Sequence, residues 1–125
     1  MARIEINPHN ARQLVVVVQE PIGTGRVWTS LDGSRRWRDI TTNLPSGLRA
    51  YTVAVDWKRT DGRRPSLPRI YVGTDRGVFH TVLGASGWRR FGHGLPNPLV
   101  SDLRITPGVL TAAIYGRGAW QVRLR

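Results

Sequence analysis

The sequence predicts an all-β protein made of repeated antiparallel sheets, and three observations lead there. The chain carries 14 Gly and 8 Pro in 125 residues, a load that opposes helix interiors. Short β-branched and aromatic runs recur between Gly and Pro clusters, and no segment sustains a 3.6-residue apolar period. The chain also repeats itself: Trp37-Arg38-Asp39-Ile40-Thr41-Thr42-Asn43-Leu44-Pro45 lines up with Trp88-Arg89-Arg90-Phe91-Gly92-His93-Gly94-Leu95-Pro96.

The offset between these copies also pairs Val27-Trp28-Thr29-Ser30 with Val78-Phe79-His80-Thr81, and Gly33 with Gly84. A partial third copy follows, in which Gly116-Arg117-Gly118-Ala119-Trp120 matches Asp75-Arg76-Gly77-Val78-Phe79. Ile4-Glu5-Ile6-Asn7-Pro8 echoes Leu103-Arg104-Ile105-Thr106-Pro107, which puts the two ends of the sequence at equivalent stages of one repeat.

Taken in order, the first unit holds strands at Arg3–Asn7, Leu14–Glu20, Val27–Leu31 and Arg38–Thr41. Leu14-Val15-Val16-Val17-Val18 is a β-branched run of the kind that fills a buried strand. The second unit holds strands at Thr52–Trp57, Arg69–Thr74, Val78–Leu83 and Arg89–Gly92, with Lys58–Pro68 read as an exposed loop insertion. The third holds Asp102–Thr106, Leu110–Tyr115 and Ala119–Leu124. Four strands in 40 to 51 residues match one blade of a β-propeller. The chain is thus expected to be a partial propeller of about two and a half four-stranded antiparallel blades, with units at 1–46, 47–97 and an incomplete 98–125. That is too little to close a ring alone.

Ser30-Leu31-Asp32-Gly33-Ser34-Arg35-Arg36-Trp37 resembles the Asp box, whose pattern is Ser/Thr-x-Asp-x-Gly-x-Thr-Trp/Phe. Ser30, Asp32 and Trp37 match in place; Ser34 stands where the pattern has Gly, and Arg36 where it has Thr. The physical logic is a tight turn in which the Asp carboxylate accepts from backbone N–H groups while the Trp packs between neighbouring sheets. The copy at Thr81-Val82-Leu83-Gly84-Ala85-Ser86-Gly87-Trp88 keeps Thr and Trp but has Leu83 in place of Asp.

Together with Ile70-Tyr71-Val72-Gly73-Thr74-Asp75-Arg76-Gly77-Val78-Phe79 and Ile114-Tyr115-Gly116-Arg117-Gly118-Ala119-Trp120, the chain resembles Asp-box (BNR, or sialidase-like) β-propellers. These include xyloglucanase-like glycoside hydrolases, sortilin-type domains and plant photosystem assembly factors. The resemblance implies that Ser30, Asp32, Gly33, Trp37 and Trp88 are structural, on the face away from any active site. It implies ligands at the opposite, axial face, where Gly23–Arg26, Pro45–Arg49, Pro96–Val100 and the turns holding Asp75, Arg76, Tyr115 and Arg117 would lie. Those last four residues are the expected binding set.

No catalytic set can be assembled. A sialidase of this type needs an Arg triad, a Tyr–Glu pair and an acid Asp, yet Glu5 and Glu20 are the only glutamates. A xyloglucanase needs two carboxylates across a cleft between two propellers. Asp56, Asp75 and Asp102 are the spare carboxylates, and each reads more simply as a strand-end or turn residue. His9, His80 and His93 match no metal spacing, His80 in a strand and His93 in a turn read as incidental, and no cofactor motif is present. There is no cysteine, no apolar run of 18 residues and no leader-like N-terminus, so the compartment is open: cytoplasmic by default, secreted if an upstream signal precedes.

The formal net charge is +11, with arginine supplying 18 of the 19 basic residues. An anionic polymer is one reading of that charge; a solvated Arg-rich surface is the plainer one. Trp88-Arg89-Arg90-Phe91 suits base stacking, although its place in the repeat favours a core Trp. The leading expectation is a non-catalytic scaffold or binding module. Its partners would be the remaining blades of a larger propeller or further copies of itself, with carbohydrate or an anionic polymer as ligand. The alternative is part of a glycoside hydrolase that contacts carbohydrate through Arg76, Tyr115 and Arg117.

Overall fold

A computed structural model of the chain describes residues 2–22, 25–45, 47–57, 60–61, 64–65, 67–85, 87–91 and 99–124, with the side chains of 20–22, 60–61 and 64–65 left aside. Among the described residues there is no helix. Strands β1 (Ala2–Ile6), β2 (Leu14–Ile22), β3 (Gly25–Ser30) and β4 (Arg38–Asp39) form the first sheet. Strands β5 (Ala50–Asp56), β8 (Arg69–Thr74), β9 (Gly77–Val82) and β10 (Arg89–Phe91) form the second. Strands β11 (Val100–Thr106), β12 (Val109–Ile114) and β13 (Gly118–Arg123) form the third.

Every neighbouring pair in the three sheets is antiparallel, and every sheet runs through its strands in chain order. All eleven expected strands are present. The segment read as a loop insertion differs, since it carries a fourth, two-stranded sheet of β6 (Thr60–Asp61) and β7 (Arg64–Pro65). Two-residue strands leave no periodicity for a sequence reading to find. Gly25 and Arg26, read as loop, open β3.

The second sheet lies between the other two, and the two-residue period of its strands decides which neighbour each side chain meets. Val53, Val55, Ile70, Val72 and Phe79 pack into one apolar cluster with Val15, Val17 and Val27 of the first sheet. Ala54, Tyr71 and Val78 pack into the other with Leu103, Leu110 and Ala112 of the third. Covered on both faces, β8 is buried along almost its whole length, which is why Ile70-Tyr71-Val72 reads as an unbroken apolar run. Contact with the third sheet is close at Gly73: a Cβ there would stand 2.6 Å from Thr52 Cγ2 and 2.8 Å from Val100 Cγ1. Only glycine leaves room there for the Thr52 and Val100 side chains.

The two outer faces of the stack differ in chemistry. On the third sheet, Arg104, Thr111 and Gln121 face one another in register, a polar row. On the first sheet the corresponding row is Ile4, Val16 and Trp28, continued by Ile6 and Leu14. Ile4 is 58% exposed and Ile6 53%, so that apolar face is open to solvent.

Candidate functional site

The Asp-box segment forms the turn between β3 and β4. Asp32 Oδ1 accepts from the Ser30 hydroxyl at 3.0 Å and from the Arg36 backbone N–H at 2.9 Å. The Ser34 N–H donates back to Ser30 Oγ at 2.9 Å. The Arg36 N–H, the Ser30 hydroxyl, the Arg35 N–H and the Arg36 charge together hold the Asp32 carboxyl below the usual range. Ser34 takes a positive φ of 69°, a left-handed conformation that glycine adopts without a Cβ penalty. In the copy without the carboxylate, Thr81 Oγ1 donates to the Gly87 carbonyl at 2.7 Å.

The two repeat tryptophans part company. Trp88 is 5% exposed, its indole Nε1 donates to the Ile40 carbonyl at 2.7 Å, and Asn43 brackets its backbone. Trp88 of the second sheet is thereby plugged into the segment that follows β4 of the first. Trp37, expected between sheets in the same way, is instead 42% exposed and belongs to neither apolar cluster. The repeat explains the difference: Trp88 has Ile40 and Asn43 of the preceding unit to dock on, and no unit precedes the first within the described residues.

The expected binding residues sit in two equivalent turns. Asp75 Oδ1 accepts from the Arg49 N–H at 3.1 Å, and the Asp75 N–H donates to the Arg49 carbonyl. Arg76 accepts through its carbonyl from Arg90 Nη1 at 2.7 Å. Tyr115 is 77% exposed and bonded through its backbone to Leu99, while Arg117 is exposed beside it. Among the described residues no hydrogen bond or ion pair joins the Asp75-Arg76 turn to the Tyr115-Arg117 turn. Of the other axial-face loops, Gly23, Thr24, Ser46 and residues 96–98 lie outside the described residues, as does His93.

A cleft of about 1000 Å³ opens at the other ends of the sheets. Its walls come from the C-terminal ends of β1, β5 and β11, the first strand of each sheet, and from the turns beyond them. Asp75 pairs with the opposite end of β5, at Arg49, so neither expected turn borders the cleft. Ile6, Val55, Trp57, Leu103 and Ile105 supply apolar wall, and Glu5, Asp56, His9 and Arg104 the ionisable groups.

Sequence reasoning passed over Glu5 as a strand residue and Asp56 as a strand end. The signal was available in the two-residue period, since Glu5 pairs with Val15 and so faces the second sheet. Burial pushes the Glu5 carboxyl above its usual range, and a hydrogen bond from the Val55 backbone opposes that shift. A carboxyl raised on folding contributes stability that is present below its unfolded pKa of about 4.3 and lost as pH climbs through the elevated value. Glu5→Gln should therefore match the parent at acid pH and exceed it at neutral pH. Urea unfolding midpoints at both pH values check this, and an unchanged difference between them refutes it.

Asp102 is better connected than a strand-end residue. Its carboxylate lies 3.5 Å from Arg3 Nη1 of the first sheet and 3.6 Å from Arg104 Nε, and it accepts from Thr52 Oγ1 of the second at 3.3 Å. His80 is not incidental either, for it stacks on Tyr71 with centroids 6.0 Å apart and meets Phe91 edge-on at 5.0 Å. Phe91 in turn meets Trp120 of the third sheet edge-on at 6.3 Å. No group of three or more metal-ligating side chains occurs among the described residues, and no helix there is long and apolar enough to cross a membrane.

No protein-family model matches the chain, and comparison with curated proteins finds no match. What the structure defines is an all-β protein of three stacked antiparallel sheets.

Proposed function

We propose that the chain is a non-catalytic scaffold or binding module belonging to a larger Asp-box-type β-propeller, with the other blades supplied by further sequence or by other copies. One observation carries this reading: Trp88 is plugged into the preceding unit, while its repeat-mate Trp37 stands 42% exposed, on a sheet whose Ile4 and Ile6 are open to solvent as well. The same joint is thus filled once and vacant once, and the vacant copy belongs to the sheet whose outer face is apolar. A further sheet laid on that face would extend the stack by the rule that already joins the first sheet to the second.

The scaffold reading is preferred to a hydrolase because four described carboxylates already serve the fold. Asp32 and Asp39 cap local turns, Asp75 ties a turn to Arg49, and Asp102 joins the sheets. Light scattering and hydrophobic-dye binding on the full chain test the proposal. The chain should run above monomer mass or bind dye, and Ile4→Lys with Ile6→Lys should abolish either behaviour. A monodisperse monomer that binds no dye overturns it.

A further inference from the structure

The cleft at the C-terminal ends of β1, β5 and β11 has the features of a ligand site. It is concave, mostly apolar in lining, and holds a few convergent polar groups. Its charge differs from that of the surface around it. In a chain of net charge +11, it is bordered by two carboxylates, Glu5 and Asp56. Among the acids whose side chains are described, these are the two not engaged by turns or ion pairs elsewhere.

The Val55 backbone lies toward the Glu5 carboxylate, which leaves that carboxylate lone pairs to spare. The Asp56 carboxylate has no hydrogen bond or ion pair among the described residues. Arg104 borders the same cleft, with its Nε 3.6 Å from the Asp102 carboxylate that it shares with Arg3. Trp57 adds an aromatic ring, and Ile6, Leu103 and Ile105 add apolar wall. Carboxylates beside an aromatic ring and aliphatic wall suit a cation attached to an apolar body.

We propose that this cleft binds a small organic cation, an ammonium or guanidinium carried on an apolar or aromatic group, with Glu5 and Asp56 taking the charge and Trp57 and Ile105 the body. The site does not depend on the propeller reading, because its walls come from the three sheets already described. Burial strengthens it, since a charge pair in a partly desolvated cleft attracts more than one in water.

The test is titration of the full chain with 2-phenylethylammonium, followed by tryptophan fluorescence and by calorimetry. Neutral 2-phenylethanol and anionic phenylacetate serve as matched controls. A ligand of this size should bind with a dissociation constant of about a millimolar. The cation should be preferred over the alcohol by about tenfold. Glu5→Gln and Asp56→Asn should each reduce that preference, and the double variant should remove it while the alcohol binds as before. Circular dichroism confirms that the variants are folded. Equal binding of cation, alcohol and acid overturns the proposal, as does an unchanged preference in the double variant or no saturable binding of the cation.

Discussion

Replacing Arg26 with methionine should cost about 3–5 kcal/mol, because two short charge-assisted hydrogen bonds and a longer one are lost together inside the protein. Arg26 is 5% exposed, yet no carboxylate lies within ion-pair distance of it among the described residues. Its guanidinium is met by carbonyls instead: Nη1 donates to Pro45 and Leu48 at 2.7 Å each and Nη2 to Leu44 at 3.2 Å, while the buried Nε has no partner among the described residues. Those carbonyls belong to the connection between the first and second sheets. Nearby, Thr41 Oγ1 accepts from the Arg26 and Val27 N–H groups and donates to Asp39. Arg26 is therefore the core of a polar knot that fixes where the second sheet begins. Methionine would fill much of the volume and leave the carbonyls unpaired. The urea midpoint should fall by about 2 M, taking a slope of about 2 kcal/mol/M. Arg26→Lys should recover only part of that loss, since one ammonium cannot reproduce the forked geometry. A midpoint within about 0.3 M of the parent would show that the knot contributes little.

The strands were legible in the sequence because a buried strand must be apolar and β-branched, and a turn must hold residues that tolerate positive φ or pre-set it. Val15 and Val17, then Ile70 and Val72, reveal themselves that way, as do Gly77, Gly84 and Gly116 at the turns between strands. The Asp-box turn was legible for a related reason, since its hydrogen bonds link residues at most four apart in sequence. What joins one sheet to another was not legible. Arg26 reaches Leu48 across 22 positions, Trp88 reaches Ile40 across 48, and Thr52 reaches Asp102 across 50. No local pattern distinguishes those arginine, threonine and aspartate side chains from solvated ones. The cleft escaped for the same reason, because its three walls come from the starts of three different units. The resemblance to known propellers directed attention to the Asp75 and Tyr115 turns, at the other ends of the strands.

Trp88→Ala and Trp37→Ala occupy the same place in the repeat and should differ widely in effect. Trp88→Ala should cost about 3–5 kcal/mol, the range for removing a large buried aromatic ring. Its ring packs with Val15, Val17, Leu44 and Leu48 in the cluster between the first two sheets. Its loss would also strip the Ile40 carbonyl of its indole donor. Trp37→Ala should cost the isolated chain about 1 kcal/mol, because a half-exposed ring contributes little buried area. The order should change once the open face is covered. If other sheets or copies dock there, Trp37→Ala should weaken that association while leaving the unfolding of the unassociated chain nearly as before. Measuring both substitutions by urea unfolding at low protein concentration, and by mass at high concentration, separates the two roles. Equal destabilisation at low concentration would mean that Trp37 already has a docking site within the chain. The vacancy at Trp37, and with it the case for a continuing stack, would then disappear.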